Sequence, residues 1–254
     1  MPPFDTTHHL STLKGVKHGF FGRRGGVSTG IYAGLNLGLG SGDNARSVRT
    51  NRHLVRDALG AATLQSCYQV HGNHCLLVTD ATDTRAEADA MVTQTPGLAL
   101  CILTADCVPV LFADVQAGIV GAAHAGWKGA LAGICQSTLK MMEGLGADRT
   151  RITAAIGPAI QQPSYEVGPE LRDQILSVAE WSAGLFHAGQ GDRLHFDLPG
   201  FVRSVLLREG VGAIDHHGAD TCAEAETYFS NRRRHRLGEP DYGRNGSVIV
   251  LCED

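Results

Sequence analysis

Hydrophobic positions recur at helical spacing in some stretches of this chain and run unbroken through others, and each pattern predicts an element. The apolar run Leu98-Ala-Leu-Cys-Ile-Leu-Thr104 leads through Ala105, Asp106 and Cys107 into Val108-Pro-Val-Leu-Phe112. A turn-like stretch, 113–118, separates this from Ile119-Val-Gly-Ala-Ala-His124, so a β-hairpin is expected here. Leu131, Ile134, Cys135, Thr138, Leu139 and Met142 then form one helical stripe, which Gly144 ends. Earlier, Asp43 is placed to cap a helix with Val48, Leu54, Val55, Ala58 and Leu59 inward and Gly60 as its stop. Tyr68-Gln-Val-His-Gly72 and Cys75-Leu-Leu-Val-Thr79 read as strand, turn, strand.

Downstream, residues 151–157 read as a strand stopped by Pro158. Pro169 opens a helix with Leu171, Ile175, Val178 and Ala179 inward. Short strands near His195-Phe196 and Ala213-Ile214 flank a helix over 201–209, and Ser247-Val-Ile-Val-Leu251 is a buried final strand. Strands and helices interleave, yet hairpins are present. The expected fold is therefore α/β (α+β), with mixed β-sheets packed in layers and flanked by helices, not a doubly wound parallel sheet. No low-complexity linker or fixed-period repeat divides the sequence, so residues 1–254 read as a single domain.

Composition narrows the class. Hydrophobic residues make up 43% and charged residues 19% of the 254, which argues against disorder. A formal net charge of −4 gives no global basic field, so nucleic acid is not an expected partner. No apolar run reaches the roughly 18 residues of a membrane span, and the N-terminus lacks the basic and apolar regions of a signal peptide. Seven cysteines, odd in number and irregularly spaced, fit reduced thiols in a cytoplasmic protein better than a disulfide framework. A monomer or weak homodimer is expected.

The hairpin brings the chemistry into view. With Val115 and Gln116 at its tip, paired residues have numbers summing to 231, which sets Cys107 directly opposite His124. Opposed side chains in an antiparallel pair lie about 5 Å apart on one face. A thiolate and an imidazole at that distance could share a metal ion or act as nucleophile and base. His71, where a predicted strand ends and Gly72 permits a sharp turn, is the best third partner, with His74 and Cys75 as rivals. Two histidines and a cysteine are a ligand set for catalytic zinc with one position left open. Asp106 is a candidate orienting carboxylate or general base. Each residue also has a structural reading: a small core thiol, a hydrogen-bonded imidazole, a turn-forming carboxylate.

Anion contacts have candidates too. A helix beginning near Trp127-Lys128 would turn its free amides, and the Lys128 charge, toward His124. The glycine-rich stretch from Gly22 to Asp43, with Arg23 and Arg24, could add amides and cations, although no nucleotide-binding glycine motif occurs in it. The basic segment 228–236, followed by Arg244, is either a phosphate grip or a solvated loop.

Several motifs stand in order along the chain: Gly25-Gly-Val-Ser28, Leu35-Asn-Leu-Gly38, Gly42-Asp43, Gln69-Val-His-Gly72, Thr104-Ala-Asp-Cys-Val-Pro-Val110, His124-Ala-Gly-Trp-Lys-Gly129, Ala155-Ile-Gly-Pro158, Tyr165-Glu-Val-Gly168 and Phe229-Ser230. Together they make nearly the whole sequence resemble the bacterial laccase-domain (YfiH-type) family, also called multicopper polyphenol oxidoreductases. The resemblance implies that His71, Cys107 and His124 are the metal ligands. It implies phosphorolysis of purine nucleosides (inosine, adenosine or methylthioadenosine), with purine nucleoside and phosphate as partners and adenosine deamination as a side activity. The family's older name implies copper-dependent phenol oxidation, in the laccase manner. Zinc has no redox chemistry, and the chain holds no His-x-His pair, so phosphorolysis with zinc ranks above oxidation with copper. Residues expected at substrate or phosphate are Arg24, Asn36, Lys128, Arg233 and Arg244, and Asp106 or a metal-held water is expected to move protons.

Two departures bear on substrate. Lys128 stands where that family usually has arginine, trading a bidentate fork for a point charge. Asn231 replaces a tyrosine, and a longer 235–242 stretch precedes Gly243-Arg244. Competing functions are a cysteine hydrolase with Cys107 as nucleophile and His124 as base, and a non-catalytic sensor of purine or sugar phosphates.

Overall fold

The computed structural model describes residues 1–82 and 86–252. Its strands are β1 (Val16–Phe21), β2 (Thr63–Gln65), β3 (Cys75–Leu77), β4 (Ala90–Thr93), β5 (Leu98–Thr104), β6 (Val108–Asp114), β7 (Ile119–Ala125), β8 (Thr153–Ile156), β9 (Glu166–Val167), β10 (Phe186–Ala188), β11 (Leu194–Phe196), β12 (Ala213–His216) and β13 (Asn245–Leu251). Its helices are α1 (His8–Thr12), α2 (Ala45–Leu59), α3 (Trp127–Ala132), α4 (Ile134–Gly144), α5 (Pro169–Leu176), α6 (Leu198–Arg208) and α7 (Asn231–Leu237).

Two mixed sheets carry the fold, one of six strands in the order β12-β8-β6-β7-β4-β3 and one of four in the order β1-β13-β5-β2. Parallel pairs occur only at their edges, β12 with β8, β4 with β3, and β5 with β2. A small sheet, β10-β11-β9, stands apart. Strand alternation divides the core into three seams. Leu111, Ala113, Val120 and Ala122 face Leu100, Ile102 and Ile249 between the two large sheets. Val110, Phe112 and Ala123 point the other way, under Ile134, Leu139 and Met142 of α4 and Val202 and Leu206 of α6. Ala99, Cys101, Val248 and Val250 face Val55 and Leu59 of α2. The order of layers is helix, sheet, sheet, helices, and both faces of β6 and β7 are buried throughout. That explains their unbroken apolar runs, and it matches the mixed, layered fold expected from sequence.

Four local expectations need correction. The stripe from Leu131 to Met142 belongs to two helices, because Gly133 takes φ 90° and breaks α3 from α4. The cap of α2 is Asn44, whose side chain accepts from the amides of Arg46 and Ser47, and not Asp43. Val178 lies beyond the end of α5 and is 69% exposed. The segment 68–72 is not a strand, since only Tyr68 makes a bridge, to Glu87. Among the described residues all cysteines are free thiols, and no helix is long and apolar enough to cross a membrane.

Candidate metal centre

The β6–β7 hairpin pairs Asp114 with Ile119 and, at its other end, Pro109 with His124 and Val108 with Ala125. Its numbers sum to 233, not 231. The turn is four residues long because the Asp114 carboxylate accepts from the amides of Gln116 (3.1 Å) and Ala117 (3.2 Å) while Gly118 takes φ 63°. This moves the tip one position along and the register by two. A shift of two preserves the face, so Cys107 still lies on the His124 side, but diagonal to it and outside the strand. The bend that delivers it is made by Asp106, at φ 93°.

His71 arrives by a similar device. It, and not Gly72, takes the left-handed backbone, with φ 63°. Both strained residues are held in place by buried partners. Asp106 is 8% exposed, and its carboxylate accepts from the Thr221 hydroxyl (2.8 Å) and the Arg232 amide (2.6 Å). The turn at His71 is held by Asp89, which is fully buried. Its carboxylate accepts from the amides of His71 (2.9 Å), Gly72 (2.6 Å) and Val70 (3.3 Å).

Asp89 also meets the second histidine, accepting from His124 Nδ1 at 2.8 Å, while the Asp89 carbonyl accepts from the His124 amide at 2.7 Å. With Nδ1 committed as the donor, Nε2 is left to the centre. One donor atom each from His71, Cys107 and His124 lies within 4.8 Å of the other two. Cys107 Sγ is 3.8 Å from His71 Nε2, and the two imidazole rings stand 4.7 Å apart at 77°. Zinc bonds of about 2.0 Å to nitrogen and 2.3 Å to sulfur at tetrahedral angles set ligand atoms about 3.5 Å apart, so this donor set fits one ion with small adjustments. Gly126 closes the fourth wall. A Cβ there would stand 2.9 Å from His71 Cδ2 and 3.1 Å from Cys107 Sγ, so only glycine lets the chain pass this close.

Electrostatics agree with a ligand set. Burial opposes a thiolate at Cys107, but the His124 and His71 imidazoles outweigh it and bring the thiol below its ordinary range. Burial likewise opposes charge on His124, and the Cys107 sulfur and Asp89 carboxylate reverse this and raise it. For Asp89, burial is overcome by hydrogen bonds from His124, Gly72 and His71, which hold the carboxyl below the usual range. Asp106 is raised, because burial outweighs the donors around it.

Two cavities meet at this cluster, and His71, Ala105, Cys107 and Asn231 line both. The larger, about 520 Å³, adds Trp127, Lys128, Tyr165, Arg232 and His235. The smaller, about 250 Å³, adds Ser41, Tyr68, Gln69, Tyr242 and Arg244, with the Arg244 guanidinium 3.5 Å from the Tyr242 ring centroid. Lys128 and Arg244 are therefore where phosphate or substrate contacts were expected.

The other expected contacts lie elsewhere. Arg24 is exposed, donates to the Glu226 carbonyl and lines neither cavity. Arg233 spends its guanidinium on the carbonyls of Thr221, Cys222 and Tyr228. Asn36 is fully buried. It donates to Ser41 and Asp43, accepts from the amides of Gly38 and Arg244, and so shapes the glycine-rich loop from inside. Of the rival ligands, the His74 side chain is exposed and Cys75 packs in the core, 3.8 Å from the Met141 sulfur. Asp89 was not singled out from sequence, while Tyr165 stood in a quoted motif, Arg232 and His235 in the basic segment 228–236, and Tyr242 at the end of the longer 235–242 stretch, none of them named as a site residue. Asp89 lies in no motif and is separated by 35 positions from the histidine it orients.

Comparison with known proteins places these features in a group. Residues 17–252 match the family model described as multi-copper polyphenol oxidoreductase laccase. The chain is 44% identical over 240 residues to a Deinococcus radiodurans protein named purine nucleoside phosphorylase, spanning 93% of this chain and 88% of that one. It is 38% identical over 245 residues to the Escherichia coli protein named purine nucleoside phosphorylase YfiH, spanning 94% and 95%. Among solved structures, a Neisseria meningitidis protein superposes with a TM-score of 0.89 at 34% identity, covering 98% of this chain and 99% of its own.

Proposed function

Given that this chain belongs to the multi-copper polyphenol oxidoreductase laccase family, we propose that it is a zinc-dependent purine nucleoside phosphorylase cleaving inosine, adenosine or methylthioadenosine with phosphate. The observation that carries this reading is the junction of two chemically different cavities at His71, Cys107 and His124. Relatives named for the same activity support it.

Phosphorolysis breaks the bond from ribose C1′ to the base nitrogen and forms one from C1′ to a phosphate oxygen. It needs an anion pocket on one side of C1′ and a base pocket on the other. The larger cavity suits phosphate, because Lys128, Arg232 and His235 all reach it. Arg232 keeps donors to spare, since only Nη1 is used, on the Glu166 carbonyl. The smaller cavity suits the nucleoside: Tyr68 and Tyr242 offer ring faces, and Gln69, Ser41 and Arg244 offer edges for hydrogen bonding. A zinc ion on the three ligands would supply Lewis-acid polarisation of the departing base. Asp89 fixes the His124 tautomer, and Asp106, bonded to the Thr221 hydroxyl and the Arg232 amide, positions Cys107. Adenosine deamination would be a side activity of the same site.

Copper-based phenol oxidation is less well supported. Multicopper electron transfer needs more than one centre, and among the described residues only one group of three or more metal-binding side chains converges. A hydrolase reading retains one specific observation, that Cys107, His124 and Asp89 line up as nucleophile, base and orienting carboxylate. One assay separates them. Hypoxanthine release from inosine is expected to require phosphate and to stop in chelator. Release without phosphate, or activity that survives chelator and is abolished by alkylating Cys107, would overturn the phosphorylase reading.

A further inference from the structure

A cavity of about 720 Å³ lies away from the metal centre. It is a groove between α2 and the edge strand β2, and its lining includes Arg49, Arg52, His53 and Arg56. These four fall at i, i+3, i+4 and i+7, so they share one face of α2, while Val48, Asn51, Val55 and Leu59 face the core. Among the described residues no carboxylate lines the groove, although the chain as a whole carries a net charge of −4. Leu39 and Leu64 give it apolar wall.

The three guanidiniums are not equally occupied. Arg49 has no acidic partner among the described residues. Arg52 lines the groove and donates to Ser66 Oγ (3.1 Å) and, from its other terminal nitrogen, to the Leu37 carbonyl (3.5 Å), neutral partners that leave its charge uncompensated. Arg56 pairs with Asp57, whose side chain is 61% exposed, and a solvated pair of this kind is readily exchanged for a better anion. At 1.5 Å per residue the Cα atoms of Arg49 and Arg56 are about 10 Å apart along the helix. One phosphate cannot span that distance, but a chain of phosphates can.

We propose that this groove is a second, anion-binding site for a nucleoside polyphosphate, with the phosphate chain along Arg49, Arg52 and Arg56 and the nucleoside against Leu39 and Leu64. Guanidinium forks suit phosphate oxygens, and the volume is that of a small-ligand site. The site adjoins the metal centre without sharing residues with it. Leu39 lines the groove while Gly38, Gly40 and Ser41 line the smaller cavity, and Ser66 lines the groove while Cys67 and Tyr68 line that cavity. Arg52 bonds to Ser66, so an anion held there bears on a wall common to both.

The test is calorimetric titration of tripolyphosphate and of ATP into the wild type, Arg49→Glu/Arg56→Glu and His71→Ala. Both ligands should bind the wild type and His71→Ala alike and weaken at least tenfold in the double variant, with inosine not displacing them. Inosine turnover with phosphate, measured without tripolyphosphate or ATP, should be unchanged in the double variant. Arg49→Gln/Arg56→Gln, a milder change, should lie between and serves if the charge reversal perturbs folding. No binding of tripolyphosphate to the wild type, equal binding to the variants, or displacement of both ligands by inosine would overturn the proposal.

Discussion

Replacing Asp89 with asparagine tests how the centre is organised. The carboxylate is fully buried and accepts from His124 Nδ1 (2.8 Å) and from the amides of His71, Gly72 and Val70. Asparagine preserves the shape but substitutes an NH₂ donor for one acceptor oxygen. Either that NH₂ faces the Gly72 and Val70 amides, or it faces His124 Nδ1. In the second case the imidazole must carry its proton on Nε2, the atom needed at the centre. Changes to such orienting partners weaken metal binding by about 10–100-fold, equivalent to about 1.4–2.8 kcal/mol. A buried donor left without its partner adds about 1–3 kcal/mol of destabilisation in the metal-free protein. Zinc affinity measured against a fluorescent chelator should therefore fall by at least tenfold, and the metal-free variant should unfold at lower denaturant. Zinc affinity within about threefold of the wild type would refute the assignment of Asp89 as the orienting group.

Gly126→Ala would place a methyl group 2.9 Å from the His71 ring and 3.1 Å from Cys107 Sγ, so zinc occupancy and inosine turnover should fall together while secondary structure by circular dichroism is unchanged. Retained occupancy would mean that the centre has more room than its geometry indicates. His18 gives a pH prediction away from the site: its Nε2 accepts the Thr7 amide at 2.9 Å, and burial lowers its pKa from 6.5 to about 4 despite attraction from Asp215. The folded pKa is depressed, so this stability is fully present above pH 6.5 and is lost as pH falls toward 4, by up to about 3 kcal/mol at about 1.4 kcal/mol per pKa unit. Urea unfolding at pH 7 and 4.5 should show the loss, and His18→Gln should flatten it; identical slopes in both proteins would rule this out.

How much of this was legible in the sequence depends on whether the information was local. The apolar runs of β5, β6, β7 and β13 announce buried strands because both their faces are covered. The placing of Cys107 on the His124 face survived an error in register because the error was even, although His124 pairs with Pro109, and the true register depended on amide bonds to Asp114 that strand propensity does not encode. Gly133 broke a helix whose apolar periodicity ran straight through it, since the stripe reports burial and not backbone continuity. The arginines were least legible. Arg233 and Arg244 have the same charge, but one is consumed by carbonyls and the other lines a cavity, and only the path of the chain distinguishes them. Asp89 was invisible for the same reason, because its partners Val70, His71, Gly72 and His124 come from two distant segments.

On the proposed reading, His71, Cys107 and His124 together hold one zinc ion. X-ray absorption at the zinc edge of the purified protein measures this directly. Near-equimolar zinc is expected, with one sulfur at about 2.3 Å and two imidazole nitrogens at about 2.0 Å, and with loss of the sulfur shell in Cys107→Ser. A zinc shell of oxygen and nitrogen alone, or one unchanged in that variant, would contradict it.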